Sequence, residues 1–177
     1  MKYQLFSDIH TELTKNKFPK ITPLADYLFL AGDIGRVTLP NFKEFIKYCS
    51  DNWKKVIYVM GNHEFYGSRS METIISKTIE FFDKFSNVYL LNNSFISVED
   101  IIIYGFTGWT MPIFKNTMEA IKFLNDYKRI KTKNGKFRDE DHKNIAINQI
   151  EKFKEFIDTI EHEKIIIITH FPPIKEG

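Results

Sequence analysis

A chain of 177 residues, 43% hydrophobic and 15% aromatic, has enough apolar material for one well-packed core, so residues 1–177 are expected to form a single domain. The 25 basic and 23 acidic side chains leave a formal charge of only +2, and the lysines are spread along the chain rather than massed, which gives no nucleic-acid footprint. Cys49 is the only cysteine, so an internal disulfide is excluded, and with no signal-like opening and no membrane-length apolar run the expected setting is cytoplasmic.

Short, uninterrupted apolar runs at 3–6, 27–31, 56–60 and 165–168 have the composition of strands covered on both faces. Between the second and third runs, Phe42, Phe45, Ile46 and Cys49 recur at helical spacing behind Pro40, a residue suited to the first helical position. Strand, helix, strand in that order predicts parallel neighbours. A second helix is expected over 70–85, with Met71, Ile74, Ile75, Thr78 and Phe82 on one face. The pattern then changes to short strands at 88–91, 94–98 and 101–106, the last two joined by a tight Glu99-Asp100 turn. Residues 128–139 form a polar connection, and the longest helix is expected over 139–163, with Ile145, Gln149, Ile150, Phe153, Phe156, Ile157 and Ile160 facing inward.

Four polar segments follow directly on apolar runs: Ser7-Asp8-Ile9-His10, Gly32-Asp33, Gly61-Asn62-His63-Glu64 and Thr169-His170. Each alone is a common turn, but all four fall at strand ends, where open α/β sheets collect their ligands. Asp8 and His10, two residues apart, can chelate one cation together, and Asp33 on the neighbouring strand can bridge two. Asn62 and His170 offer an amide oxygen and an imidazole nitrogen to the second ion. This mixture of donors suits Mn, Fe, Zn or a similar divalent ion. Two such ions bring a charge of about +4 against about −3 from the two aspartates and a bridging hydroxide, and the remainder favours a phosphoester substrate. His63 is placed to hydrogen-bond the developing charge or protonate the leaving oxygen.

In order and spacing, Asp8-x-His10, Gly32-Asp33, Gly61-Asn62-His63-Glu64 and His170 resemble the signature of the calcineurin-like metallophosphoesterases over nearly the whole chain. The resemblance implies an α/β fold, two mixed β-sheets sandwiched between helices, with a dinuclear metal centre that hydrolyses phosphomonoesters or phosphodiesters. It assigns Asp8, His10 and Asp33 to one metal, Asp33, Asn62 and His170 to the other, and catalysis to His63. Arg36 departs from the pattern, because an acid or amide is common at that position.

The resemblance also implies a Gly-His-x-His element after the strand that carries His170, and none occurs before Gly177. The fold is therefore expected to be C-terminally truncated, with three protein ligands per metal, reduced activity and an open sheet edge able to self-associate. The rival function is a non-catalytic remnant or binding module, or a half completed by another chain.

Four further expectations concern residues around the site. His142 and His162 are expected to be solvated on the long helix, and Tyr66 and Trp109 to act mainly in packing. Glu12 and Glu64 are expected to orient histidines. Asn125-Asp126-Tyr127 has no expected role beyond capping or loop structure.

Overall fold

The computed structural model describes residues 1–14, 18–113, 116–161 and 164–172. Four strands, β1 (Tyr3–Phe6), β2 (Tyr27–Ala31), β3 (Lys55–Val59) and β4 (Val88–Leu91), form a sheet in the order β1-β2-β3-β4 that is parallel throughout. The crossovers after β2 and β3 contain helices α1 (Pro40–Asn52) and α2 (Met71–Phe82). Pro40 opens α1, and the Ser70 side chain accepts the Thr73 N–H to open α2.

A second sheet is mixed: β5 (Ser94–Val98) runs antiparallel to β6 (Ile101–Phe106), and β9 (Ile165–Thr169) lies parallel to β6 on its other side. The Glu99-Asp100 turn between β5 and β6 is present, with Glu99 in the left-handed region at φ 55°. Residues 116–136, of which only 128 onward were expected as a polar connection, contain α3 (Thr117–Phe123), α4 (Asp126–Arg129) and a two-stranded hairpin of β7 (Lys131–Thr132) and β8 (Gly135–Lys136). Helix α5 spans Asp139–Thr159. No described helix is long and apolar enough to cross a membrane.

Alternation along the strands creates three apolar layers. Leu28, Leu30, Val56 and Tyr58 face Phe42, Phe45, Ile46, Ile74 and Phe82 of α1 and α2. From the opposite side of the same strands, Tyr27, Phe29, Ala31, Ile57 and Val59 meet Ile103, Val98 and Ile168 of the second sheet. Beyond that sheet, Ile102, Tyr104 and Phe106 pack on Phe156 and Phe153 of α5. Helix, sheet, sheet, helix is the four-layer arrangement expected.

Three expectations fail for identifiable reasons. β1 is not covered on both faces: it is the edge of its sheet, and Tyr3 and Leu5 remain exposed. Ile150 and Ile157 do not face inward, being 40% and 42% exposed, because α5 buries a narrower stripe of His142, Ala146, Gln149 and Phe156. His142 is therefore not solvated. It is buried among Trp109, Tyr127 and Phe137, takes a 2.8 Å hydrogen bond with the Tyr127 hydroxyl, and burial lowers its pKa. His162 lies outside the described residues.

The two sheets approach each other closely at Gly105 of β6. A Cβ there would lie 2.6 Å from Leu91 Cβ and 2.8 Å from Val59 Cγ2, which is overpacking that neighbouring backbone must absorb. Gly105→Ala is expected to lower stability by about 1–3 kcal/mol in urea unfolding followed by tryptophan fluorescence, although strand propensity alone favours alanine. Unchanged or raised stability would contradict this contact.

Candidate metal centre

Because β1, β2 and β3 are parallel, the segments that follow them emerge together, and His170, directly after β9, joins them with Nδ1 3.0 Å from the Ala31 carbonyl. The loops after β1 and β2 continue the pairing beyond the strands: the N–H groups of Asp8, His10 and Thr11 donate to the carbonyls of Gly32, Asp33 and Ile34 at 3.0, 2.9 and 2.8 Å. Asp8, His10 and Asp33 all take positive φ, 55°, 49° and 54°. Each such non-glycine residue costs roughly 1–2 kcal/mol, so three in one site indicate strain held by the surrounding structure.

Much of that holding comes from Glu64. Its carboxylate is buried and accepts the N–H groups of Asp33 (3.1 Å), Ile34 (2.8 Å), Gly35 (3.4 Å) and Gly61 (2.9 Å), together with the Tyr58 hydroxyl (2.6 Å). Burial and the charge of Asp33 push the carboxyl up to about 7, with the Tyr58 hydroxyl and the backbone donors offsetting only part of the rise. Five donors converging on two oxygens form the environment of an ionised carboxylate. Glu64 therefore binds the loops after β2 and β3 together, and it does not orient a histidine as expected. Glu12 does: its Oε1 lies 3.0 Å from His10 Nδ1 and 3.4 Å from His63 Nδ1. Gly61 permits the close approach, since a Cβ there would lie 2.2 Å from Asp33 Oδ1.

The side chains expected to act together are gathered here. His10 Nε2 lies 3.8 Å from Asp33 Oδ2 and 4.0 Å from Asp8 Oδ1. His170 Nδ1 lies 3.0 Å from the Ala31 carbonyl, and its Nε2 faces Asp33 Oδ1 at 3.5 Å. His63 donates its backbone N–H to Asp33 Oδ1 at 2.9 Å and brings its Nε2 to 4.0 Å from Asp33 Oδ2. With Nδ1 of His10 and His170 engaged by an acceptor, their Nε2 atoms face carboxylate oxygens, a meeting of acceptors that either a proton or a metal cation relieves.

Donors 2.0–2.2 Å from one ion stand about 3–4 Å from one another, the spacing observed, so the residues fit a metal. Ligand atoms of Asp8, Asp33 and His170 lie within 4.8 Å of one another. His10, Glu12 and His63 meet the same limit, but Glu12 already engages both imidazoles through Nδ1, which makes that trio an orienting cluster. Burial alone would lower the His10 pKa. The Glu12 hydrogen bond and the charges of Glu12, Asp33 and Asp8 outweigh it and raise the group above its ordinary value.

Asn62 is set by a residue to which the sequence assigned no role. Asp126 is buried, and its Oδ1 accepts from Asn62 Nδ2 at 2.7 Å and from the Tyr66 hydroxyl at 2.8 Å. Asn62 Nδ2 also reaches the Tyr66 hydroxyl at 3.2 Å, which leaves the amide oxygen as the donor atom available to a metal. The Tyr66 ring stacks on His63 at 4.2 Å between centroids, so Tyr66 positions the histidine as well as packing. Trp109 is buried beside Phe137 and His142, as a packing role requires. Arg36 Nη1 donates to the Tyr66 carbonyl at 3.3 Å. The available signal for Asp126 was the Asn125-Asp126-Tyr127 stretch itself, an acid in an otherwise unexplained motif.

The model of the family described as calcineurin-like phosphoesterase matches residues 1–177. "Uncharacterized protein L509" of Acanthamoeba polyphaga mimivirus is 31% identical over 159 residues, covering 84% of this chain and 55% of that protein. The chain thus spans about half the length of this curated relative. Among solved structures, phosphopantetheinyl hydrolase (PptH) from Mycobacterium tuberculosis is similar in fold, with a TM-score of 0.70 at 16% identity over 96% of this chain and 68% of that one.

Replacing Glu64 by Gln puts an N–H donor where backbone N–H groups need an acceptor. Glu64→Gln is expected to cost about 2–4 kcal/mol in urea unfolding, the range for breaking a buried charged hydrogen-bond network. A cost below about 1 kcal/mol would show that the loops hold without this carboxylate.

Proposed function

We propose that this chain, which belongs to the calcineurin-like phosphoesterase family, hydrolyses phosphomonoesters or phosphodiesters with two divalent metal ions held at the strand ends. The observation that supports this most is the turning of the His10 and His170 Nε2 atoms toward Asp33, 3.8 and 3.5 Å away, behind Nδ1 atoms held by Glu12 and the Ala31 carbonyl. Asp8, His10 and Asp33 would hold one ion, and Asp33, Asn62 and His170 the other, with Asp33 using its two oxygens separately. When bound, the pair of ions supplies a water of lowered pKa and positive charge for the phosphoryl oxygens.

The remaining work belongs to side chains of this chain. His63, held by Glu12 at Nδ1 and by the Tyr66 ring along its face, keeps Nε2 at the centre, 4.0 Å from Asp33 Oδ2. From there it hydrogen-bonds the phosphoryl group and delivers a proton to the leaving oxygen. Asp126 fixes the Asn62 amide so that oxygen rather than nitrogen is offered as ligand. Manganese, iron and zinc all match the donor set.

Asp33→Asn removes one charge from the proposed bridge and is expected to abolish metal-dependent cleavage of p-nitrophenyl phosphate and its bis ester. His63→Gln is expected to lower turnover by about 10²-fold or more while leaving metal content by elemental analysis unchanged. Hydrolysis by Asp33→Asn equal to wild type would overturn the enzymatic reading.

The raised His10 pKa predicts opposite pH trends without and with metal. In the metal-free chain its stabilising contribution is complete below a pH of about 6.5 and is lost as pH rises through the raised folded value. Metal competes with that proton, so affinity should increase with pH across the same window with proton release, measured by titration calorimetry in buffers of different ionisation enthalpy. Affinity independent of pH would remove His10 from the ligand set.

A further inference from the structure

Cations dispersed through the sequence converge on one face beside the site. A cavity of about 230 Å³ is lined by Lys43 of α1, Arg69 of the connecting loop, Lys77 of α2 and Lys84 just beyond its end, with Glu80 the sole acid among its lining residues. The ion pairs formed by lysine or arginine among the described residues involve Lys47, Lys54 and Lys164, and none of these four. A chain whose charges nearly balance has thus gathered four cations that, among the described residues, form no ion pair. A second cavity of about 200 Å³ adjoins the first, sharing Thr38 and Arg69, and its lining adds Arg36 and Tyr66. Tyr66 is the residue stacked on His63, and the Arg129 guanidinium lies 5.7 Å from its ring centre. A track of positive charge therefore runs from the edge of the metal centre to α2.

The spacing selects among anions. The cations line two adjoining cavities rather than one, Lys43, Lys77 and Lys84 in the first and Arg36 in the second with Arg69 shared, an extent that suits several phosphate groups better than one. The Phe81 ring lies between Lys43 and Lys84, 5.7 and 6.0 Å from their ammonium groups, an apolar surface among the cations. A surface evolved only for solubility gains nothing from gathering like charges around one concavity, since their repulsion falls as they are dispersed.

We propose that the two cavities form a binding track for a row of phosphate groups that continues beyond the phosphoester being cleaved. The substrate would then carry several phosphates in line, as in a single-stranded nucleic acid or a short linear polyphosphate. That it is a substrate rests on the hydrolase reading above, whereas binding of the anion does not.

The test uses the whole chain as wild type and as the double variant Arg69→Glu/Lys77→Glu, neither residue belonging to the metal centre. Fluorescence anisotropy with a labelled oligothymidylate, with unlabelled tripolyphosphate as competitor, reads binding across a salt series, and p-nitrophenyl phosphate reads turnover. Circular dichroism checks that both proteins fold alike. Wild type is expected to bind with affinity that falls steeply with salt, and the double variant at least about tenfold more weakly with a smaller salt dependence, as expected for lost phosphate contacts. Aryl phosphate turnover should be the same in both.

Displacement by tripolyphosphate at matched phosphate concentration identifies the short polyphosphate as the ligand, and retention of the oligonucleotide identifies the nucleic acid strand. Equal binding by the two proteins, or no binding by wild type to either probe, overturns the inference. Charge-dependent binding without aryl phosphate turnover in either protein defeats the hydrolase reading and leaves the anion site standing.

Discussion

The candidate centre depends on one buried carboxylate. Glu64 collects four backbone N–H groups from the loops after β2 and β3 and the hydroxyl of Tyr58, a residue of β3 itself. In the absence of that acceptor, several donors would be left unpaired in the interior, and each would favour a different loop conformation. The left-handed geometry of Asp33 is tolerable because Glu64 holds its N–H and the Asp33 carboxylate in turn accepts the N–H of His63. The residue that ends Gly61-Asn62-His63-Glu64 therefore supports the loops beneath the side chains that precede it.

From that base the site is organised by fixing one nitrogen of each imidazole. Glu12 engages Nδ1 of His10 and of His63, and the Ala31 carbonyl engages that of His170. The Nε2 atoms that remain lie within 4.0 Å of Asp33. Orientation of this kind must be built before a ligand arrives, because a freely rotating imidazole loses side-chain entropy on binding. On the far side, Asp126 does for the Asn62 amide what Glu12 does for the imidazoles.

The strands and the residues at their ends were legible because both signals are local. A short apolar run identifies a buried strand, and a polar residue directly after it lies where ligands collect. Less legible was everything decided by what packs against an element. The pattern of α5 marks Ile150 and Ile157 as inward, yet the buried stripe is narrower and includes His142, expected to be solvated. Glu64 was read as the partner of a histidine because it adjoins one in sequence, whereas its actual partners come from 29 to 31 residues away and from its own segment. Asp126 was invisible for the same reason, since its contacts with Asn62 and Tyr66 span 64 and 60 residues. The basic face illustrates the point on a larger scale: lysines dispersed in sequence carry no footprint until α1 and α2 are laid side by side.

In the proposed centre Asp33 would join two ions, one shared with Asp8 and His10 and the other with Asn62 and His170. Crystals soaked in manganese and measured at its absorption edge test it most directly, because anomalous scattering locates each ion without assumptions about ligands. Two peaks about 3.5–4 Å apart, with Asp33 between them, are predicted. A single ion bound by Glu12 with His10 and His63, or two ions that do not share Asp33, would contradict the account.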